Sequence, residues 1–325
     1  MNTSQMVFLI TAEELNFTKA AKRCFITQQA LSKHIRKLEN EYNVALFTRK
    51  PSVSLTPAGH ALYKKLLQIQ RLESNLNIEL KEISEGNHGN LRLGLNSSRA
   101  TRMLSEIFPN YHRLYPHVTW SIYSGDTNEM STLLGKGDLD MLIGVDAVIR
   151  KEFHYVPLVE DKIYLIASQG LLESTAKNEN WDLSDIIRHG LPPALLPNFP
   201  LCLNYSTSTL NQAIEKYLNL HQISLSPIIR MSNYDAQIRL CASKIVAAFF
   251  PTFMLPEVFR YNETSTPDTY LHVLSLKNLK ETLRIDCIYP SGLYLPHYAL
   301  HFIDMIKEYS LGYQRYVELF LQGKH

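Results

Sequence analysis

Within the stretch TKAAKRCFITQQALSKHIRKLE (18–39), Gln28, Gln29, Ser32, Lys33 and Arg36 set five hydrogen-bonding side chains close together. On a helix they fall to one side, because Ala30, Leu31, Ile35 and Leu38 take the other at i, i+1, i+5 and i+8. Base edges in the major groove are patterns of donors and acceptors, and Gln, Ser, Lys and Arg are side chains that pair with them. The chemistry on offer is recognition of a nucleic-acid duplex, with no bond made or broken.

Such a reading edge needs elements to hold it. Residues 3–15 carry Met6, Val7, Phe8, Ile10 and Leu15 at roughly helical spacing, and Asn16-Phe17 breaks that helix. Thr18 suits the N-cap of a short helix over Lys19–Cys24, in which Ala20 and Ala21 let another helix approach closely. Phe25-Ile26 makes the turn, and Thr27 caps the helix that carries the polar edge. This is a helix-turn-helix. LFTRKPSVSLTPAG (46–59) then reads as strand, Pro-containing turn with Arg49-Lys50, and strand. A basic tip of that kind reaches phosphates or an adjacent minor groove.

Charge follows the same division. Residues 1–65 hold ten Lys/Arg against four Glu, while the remaining 260 hold 23 Lys/Arg against 27 Asp/Glu, within an overall charge of +2. A solvated face accounts for any single lysine, but a basic head on a mildly acidic body points to a polyanion meeting the head. From about His60 to Glu85, before Gly86, the sequence predicts a long helix. Its positions 62, 66, 69, 73, 76, 80 and 83 (Leu, Leu, Ile, Glu, Leu, Leu, Ile) form a heptad seam interrupted at Glu73. A helix resting on its own domain would show some of this; its place before Gly86-Asn87-His88-Gly89 favours pairing with a second copy.

From Leu91 short apolar strands alternate with helices. LRLGL (91–95), VTWSIYSG (118–125), DLDMLIGV (138–145), IYLIAS (163–168), LCLNYST (201–207), IIRMS (228–232), IVAAFF (245–250) and LRIDCIYP (283–290) read as strands, which predicts a mostly parallel sheet with helices on both faces. In such sheets small ligands bind beyond the carboxyl ends of strands, where helix-start amides and hydroxyls hold anions. Ser97, Ser98 and Thr101 after the first strand, Asp126 and Thr127 after the second, and Asn204, Ser206 and Thr207 further on occupy that place. Ordinary helix caps explain each alone about equally well; their convergence on one cleft raises the ligand reading. Arg99 either pairs with a carboxylate or lies exposed. Lys244 points into the cleft or away from it.

Phe8, Phe17-Thr18, Ala20-Ala21, Gln28, Ser32, Ile35, Leu38-Glu39, Leu46-Phe47, Arg49, Leu55-Thr56 and Ala58-Gly59, in this order and spacing, resemble the N-terminal signature of LysR-type transcriptional regulators. Asn16, Gln29 and Asn43 depart from it, standing where Ser, Pro and Gly are usual. The resemblance implies an α/β protein. A winged helix-turn-helix (1–58) and a linker helix (59–88) that makes the dimer would precede an effector domain of the type II periplasmic-binding-protein fold (89–305). Two subdomains, 89–163 with 270–305 and 164–269, would be joined by crossings near 161–168 and 265–275. Residues 306–325 would follow as an amphipathic tail without a readable role. By the same resemblance Gln28, Gln29, Ser32, Lys33 and Arg36 contact double-stranded DNA, supported by Thr18, Thr27, Arg49 and Lys50. The protein is then a homodimer or homotetramer, its promoter binding modulated by a small organic effector, with RNA polymerase a further partner and no cofactor.

Other classes fare worse. G-x-S-x-G, P-loop, H-E-x-x-H and dinucleotide-binding patterns are missing. His297 and His301 are four apart on a predicted helix, without a carboxylate to complete a metal site. A solute-binding transport component or a small-molecule-binding enzyme would share the body but not the basic head. Cys24, Cys202, Cys241 and Cys287 are scattered, which suits buried reduced thiols. No apolar run approaches the ~20 residues of a membrane span, and the first residues lack the pattern of a secretion signal, so a cytoplasmic location is expected.

Overall fold

The computed structural model describes residues 1–50, 52–85, 88–179 and 181–323. The chain divides into one unit of residues 1–89 with 292–296, and a second of residues 90–291 with 297–325.

The first unit opens with α1 (Thr3–Glu14), started by a capping box between Asn2 and Gln5 and closed by Leu15 at φ 44°. Next comes α2 (Phe17–Arg23). Its cap is Asn16, whose side chain accepts from the amides of Thr18 and Lys19, so the helix starts two residues earlier than expected and Thr18 is not its cap. The reason is Phe17: placed in the first turn, its ring meets Phe47 edge-on at 5.4 Å. Thr27 does cap α3 (Gln28–Tyr42), accepting from the Ala30 amide at 3.2 Å. Asn43 ends α3 in the left-handed region at φ 52°, which Asn tolerates better than most residues. The wing is the antiparallel pair β1 (Phe47–Thr48) and β2 (Ser54–Leu55), and α4 (Pro57–Glu85) starts earlier than expected. Gly59 is required there, since a Cβ would stand 2.2 Å from the Leu46 carbonyl oxygen. Phe8, Ala20, Leu31, Ile35, Leu38, Leu46 and Leu66 make the buried core. Pro51, the Gly86 stop, Asn87 and the side chain of Ile83 lie outside the described residues.

The second unit contains, in order, β3 (Gly89–Leu95), α5 (Ser97–Leu114), β4 (Val118–Ser124), α6 (Thr127–Lys136), β5 (Met141–Val145), β6 (Phe153–Asp161), β7 (Ile163–Ser168), α7 (Gln169–Glu179), α8 (Leu183–His189), β8 (Leu201–Leu203), α9 (Thr209–Leu220), β9 (Ile229–Arg230), α10 (Tyr234–Ala242), β10 (Ala247–Pro251), α11 (Leu255–Asn262), β11 (Leu271–Leu274), β12 (Leu283–Pro290) and α12 (His297–Leu321). They build two five-stranded sheets, ordered β4-β3-β5-β12-β6 and β11-β7-β10-β8-β9.

Both sheets are mixed, not mostly parallel. β3 runs parallel to β5 and β8 to β9 and β10, but β12 is antiparallel to β5 and β6, and β7 to β10 and β11. Strands that follow the crossings between sheets enter reversed. The chain leaves the first sheet at Lys162 and returns between Leu274 and Leu283, later than the 265–275 expected, because β11 belongs to the second sheet. Residues 306–321 are no separate tail. They continue α12, with Ile306, Ser310, Tyr313 and Val317 buried. No helix among the described residues is long and apolar enough to cross a membrane.

Candidate nucleic-acid interface and ligand cleft

Leu31, Ile35 and Leu38 are fully buried, which fixes the rotation of α3. Gln28, Gln29, Lys33 and Arg36 are therefore exposed and Ser32 half-buried, all on one open polar face that also holds His34, Lys37 and Asn40. Those last three extend the stripe that begins at Gln29, a continuation the 3.6-residue period carries in the sequence itself. Ser4 Oγ and His34 Nδ1, 2.9 Å apart, tie α1 to α3. The Thr18 hydroxyl donates to Gln28 Oε1 at 3.3 Å, so Thr18 steadies a member of the face instead of capping a helix. Arg23 is neutralised by Glu13 (2.7 Å) and Glu14 (3.1 Å). Among the described residues Lys33, Arg36 and Lys37 form no ion pair, so their charge is available to an outside anion. The Arg49 guanidinium lies 5.2 Å from the Phe17 ring, which anchors the base of the wing, and Lys50 follows it, exposed.

On α4 the seam divides. Leu66 is buried in the head's core and Leu62 packs against it, whereas Ile69, Leu72, Leu76 and Leu80 are 41–62% exposed. Glu73, the polar interruption, pairs with the chain's own terminal ammonium.

In the second unit a cleft of about 630 Å³ is enclosed by the starts of α5, α6 and α9, which deliver Ser97, Ser98, Arg99, Asp126 and Thr127 from one side, and Asn204 and Thr207 from the other. Thr101 and Ser206 are not part of it. The Thr101 hydroxyl turns back to the Ser97 carbonyl (3.1 Å), as helix-interior threonines do, and the Ser206 carbonyl accepts from Gln212 (3.5 Å). Two helix starts are satisfied internally: Asn96 accepts from the Arg99 amide and Asp126 from the Glu129 amide, each at 2.9 Å. The third differs, for Ser208 at the head of α9 makes no side-chain cap bond. Thr127 Oγ1 accepts from the Val145 amide at 3.0 Å, leaving its proton for another acceptor.

Arg99 is neither exposed nor open to an incoming carboxylate. It is buried, its Nη2 donates to the buried Asp161 Oδ2 at 2.8 Å, and it lies 4.4 Å from the Phe253 ring centre. Burial works against its charge, but Asp161 and Tyr313 lift the guanidinium above its ordinary value, so it stays protonated. Asn204 is held from behind: its Oδ1 accepts from Gln237 (2.7 Å), turning its Nδ2 toward Tyr234 Oη (3.3 Å) and Ser208 Oγ (3.4 Å). Burial pushes the Tyr234 hydroxyl up to about 12, so it remains a neutral donor. Ser208, Gln212, Lys216, Tyr234 and Glu281 also line the cleft; of these Ser208 alone, within the run YSTST, carries a signal in the sequence, and the other four do not. Lys244, at φ 62°, turns away to pair with Asp268. His297 and His301 both set Nδ1 at Tyr115 Oη (3.1 and 2.9 Å). Cys202, Cys241 and Cys287 are buried reduced thiols, and burial raises each.

Comparison with known proteins gives the following. Residues 4–60 match the profile described as bacterial regulatory helix-turn-helix protein, lysR family, and residues 84–310 that of the LysR substrate binding domain. The HTH-type transcriptional regulator BsdA of Bacillus subtilis is 26% identical over 94% of this chain and all of its own. A single-residue variant of full-length OxyR from Pseudomonas aeruginosa shares the fold, at 17% identity, TM-score 0.61, and 95% and 94% of the two chains. So does full-length CbnR complexed with its target DNA, at 18% identity, TM-score 0.53, and 95% and 99% of the chains.

Proposed function

The chain belongs to the LysR family of transcriptional regulators, and from that premise we propose how its own residues carry out regulation. Two copies pair through the exposed leucines of α4 and set their α3 helices in successive major grooves of one DNA duplex. Gln28, Gln29, Ser32 and Arg36 meet base edges, with Lys33, Arg49 and Lys50 on phosphates. Thr27 holds the start of α3, and Thr18 steadies Gln28. The observation that carries this reading is the one-sided burial of α3, which leaves a polar, cationic edge without an ion-pair partner among the described residues. Pairing of two such dimers into a tetramer and contact with RNA polymerase belong to the same proposal, as does action in the cytoplasm.

A small organic effector occupies the cleft, contacting Ser97, Ser98, Thr127, Asn204 and Thr207 while Arg99 forms part of the wall. An amino acid or other small organic acid is the class the family suggests. An effector acts only if it binds two arrangements of the subdomains unequally. The test is a thermal-shift series of metabolites on the full chain, repeated with Ser98→Ala. Protection that falls with the substitution supports the cleft, and protection that persists unchanged moves the ligand elsewhere. Footprinting on the chain's own upstream DNA tests the α3 assignment: Arg36→Ala leaving both footprint and affinity unchanged overturns it.

A further inference from the structure

The matched substrate-binding region ends at residue 310, yet α12 runs on to Leu321 and buries Tyr313 and Val317. Tyr313, Val317 and Phe320 are spaced four and three apart, one face of a helix, and that face touches both halves of the cleft. Toward the first sheet, Tyr313 Oη donates to Asp161 Oδ1 at 2.8 Å, and the other oxygen of the same carboxylate accepts from Arg99, a wall of the cleft. Toward the second sheet, the Tyr313 ring meets Phe253 edge-on at 5.4 Å, and Phe320 stacks on Phe259 of α11 at 3.6 Å and 7°. Phe253 stands two residues past β10 of the second sheet, its carbonyl accepting from Arg102 of α5 at 2.9 Å, while Asp161 ends β6, an edge strand of the first sheet.

We propose that Tyr313 and Phe320 are positioning residues for the cleft, and that residues 311–321 form a strap fixing the angle between the two subdomains. The proposal rests on the cleft reading above and adds what regulates it. Because α12 begins on the first subdomain, where Phe302 packs on Tyr111 of α5, and ends on α11, it is a further link beside the two chain crossings, the hydrogen bond from Arg102 of α5 to the Phe253 carbonyl (2.9 Å) and the ion pair of Arg102 with Glu257 (3.6 Å). A change of angle must loosen the strap's hold on one side or the other: the Phe320–Phe259 stack and the Tyr313–Phe253 contact, or the Tyr313–Asp161 hydrogen bond and the bond from Gln314 to the Glu160 carbonyl (2.9 Å). The strap opposes a change of that angle, so the ligand response depends on how firmly Tyr313 and Phe320 hold.

The experiment is backbone-amide exchange by mass spectrometry on the full chain without ligand, for wild type, Tyr313→Phe, Phe320→Ala and Phe320→Tyr. Tyr313→Phe keeps the ring and loses only the hydroxyl. We expect Tyr313→Phe and Phe320→Ala to speed exchange about tenfold or more at residues 97–103 and 255–262, with 28–42 unchanged. Phe320→Tyr, which keeps the stack, should restore the wild-type rates. Acceleration confined to 309–323, or spread evenly over the second unit with a matching fall in Tm, overturns the strap. The metabolite series on wild type answers separately for the cleft: faster exchange with no protecting metabolite keeps the strap and removes the effector.

Discussion

Removing Leu76 and Leu80 together tests whether α4 is the dimer seam. Each is 54% exposed in the single chain. Complete burial of a leucine is worth about 1.5–3 kcal/mol, so covering the exposed half gives about 1 kcal/mol per side chain. A symmetric pair contains four of them, hence a loss of about 3–6 kcal/mol for Leu76→Ala/Leu80→Ala. At 1.4 kcal/mol per tenfold, the dimer Kd weakens by about a hundredfold to ten-thousandfold. Sedimentation equilibrium across a concentration series measures that directly. Leu66→Ala is the control: Leu66 is 1% exposed and packed in the head. That substitution should lower the melting temperature of the head by cavity formation with a smaller effect on Kd. A double variant that stays dimeric with unchanged Kd would refute the pairing, and the half-site argument built on it would fall too.

Further outcomes are expected elsewhere. Arg36→Ala should cost about 1–3 kcal/mol on a site whose base it reads, whereas Lys50→Ala should weaken all sequences alike and reduce the salt slope; titrations at several salt concentrations separate the two. Burial lowers His272 below the ordinary histidine value, so the unfolded chain binds this proton more readily than the native one. Its contribution to stability is present above that ordinary value and is lost as pH falls from there through the lowered native value, and His272→Gln should flatten the denaturation midpoint over this window. Phe25 is 95% exposed at φ 56°, a conformation costly for a bulky side chain; Phe25→Asn should stabilise the head by about 1 kcal/mol, read by urea denaturation.

The parts that sequence makes legible are those decided by neighbours along the chain. α3 can be oriented because Leu31, Ile35 and Leu38 repeat with the helix period, and the wing because two short strands flank a basic turn. Where two local signals compete, the structure is decided from farther away. Asn16 and Thr18 are both good caps, and the contact of Phe17 with Phe47, thirty residues on, selects Asn16. Strand direction is not a local property at all: LRIDCIYP is equally apolar whether parallel or antiparallel, and only the crossing from the second sheet reverses it. β6 escapes a sequence reading since Pro157 looks like a break, yet β6 is an edge strand with a register shift opposite Ile285/Asp286, where a missing amide is tolerated. Arg99 shows the same rule at the site. Its neighbours Ser97 and Ser98 announce a helix start, but its environment is set by Asp161 and, through it, by Tyr313, 62 and 214 positions away. A cleft assembled from three helix starts can thus be guessed from hydroxyls after strands, whereas which of its charges are already spent depends on pairs that only the folded chain brings together.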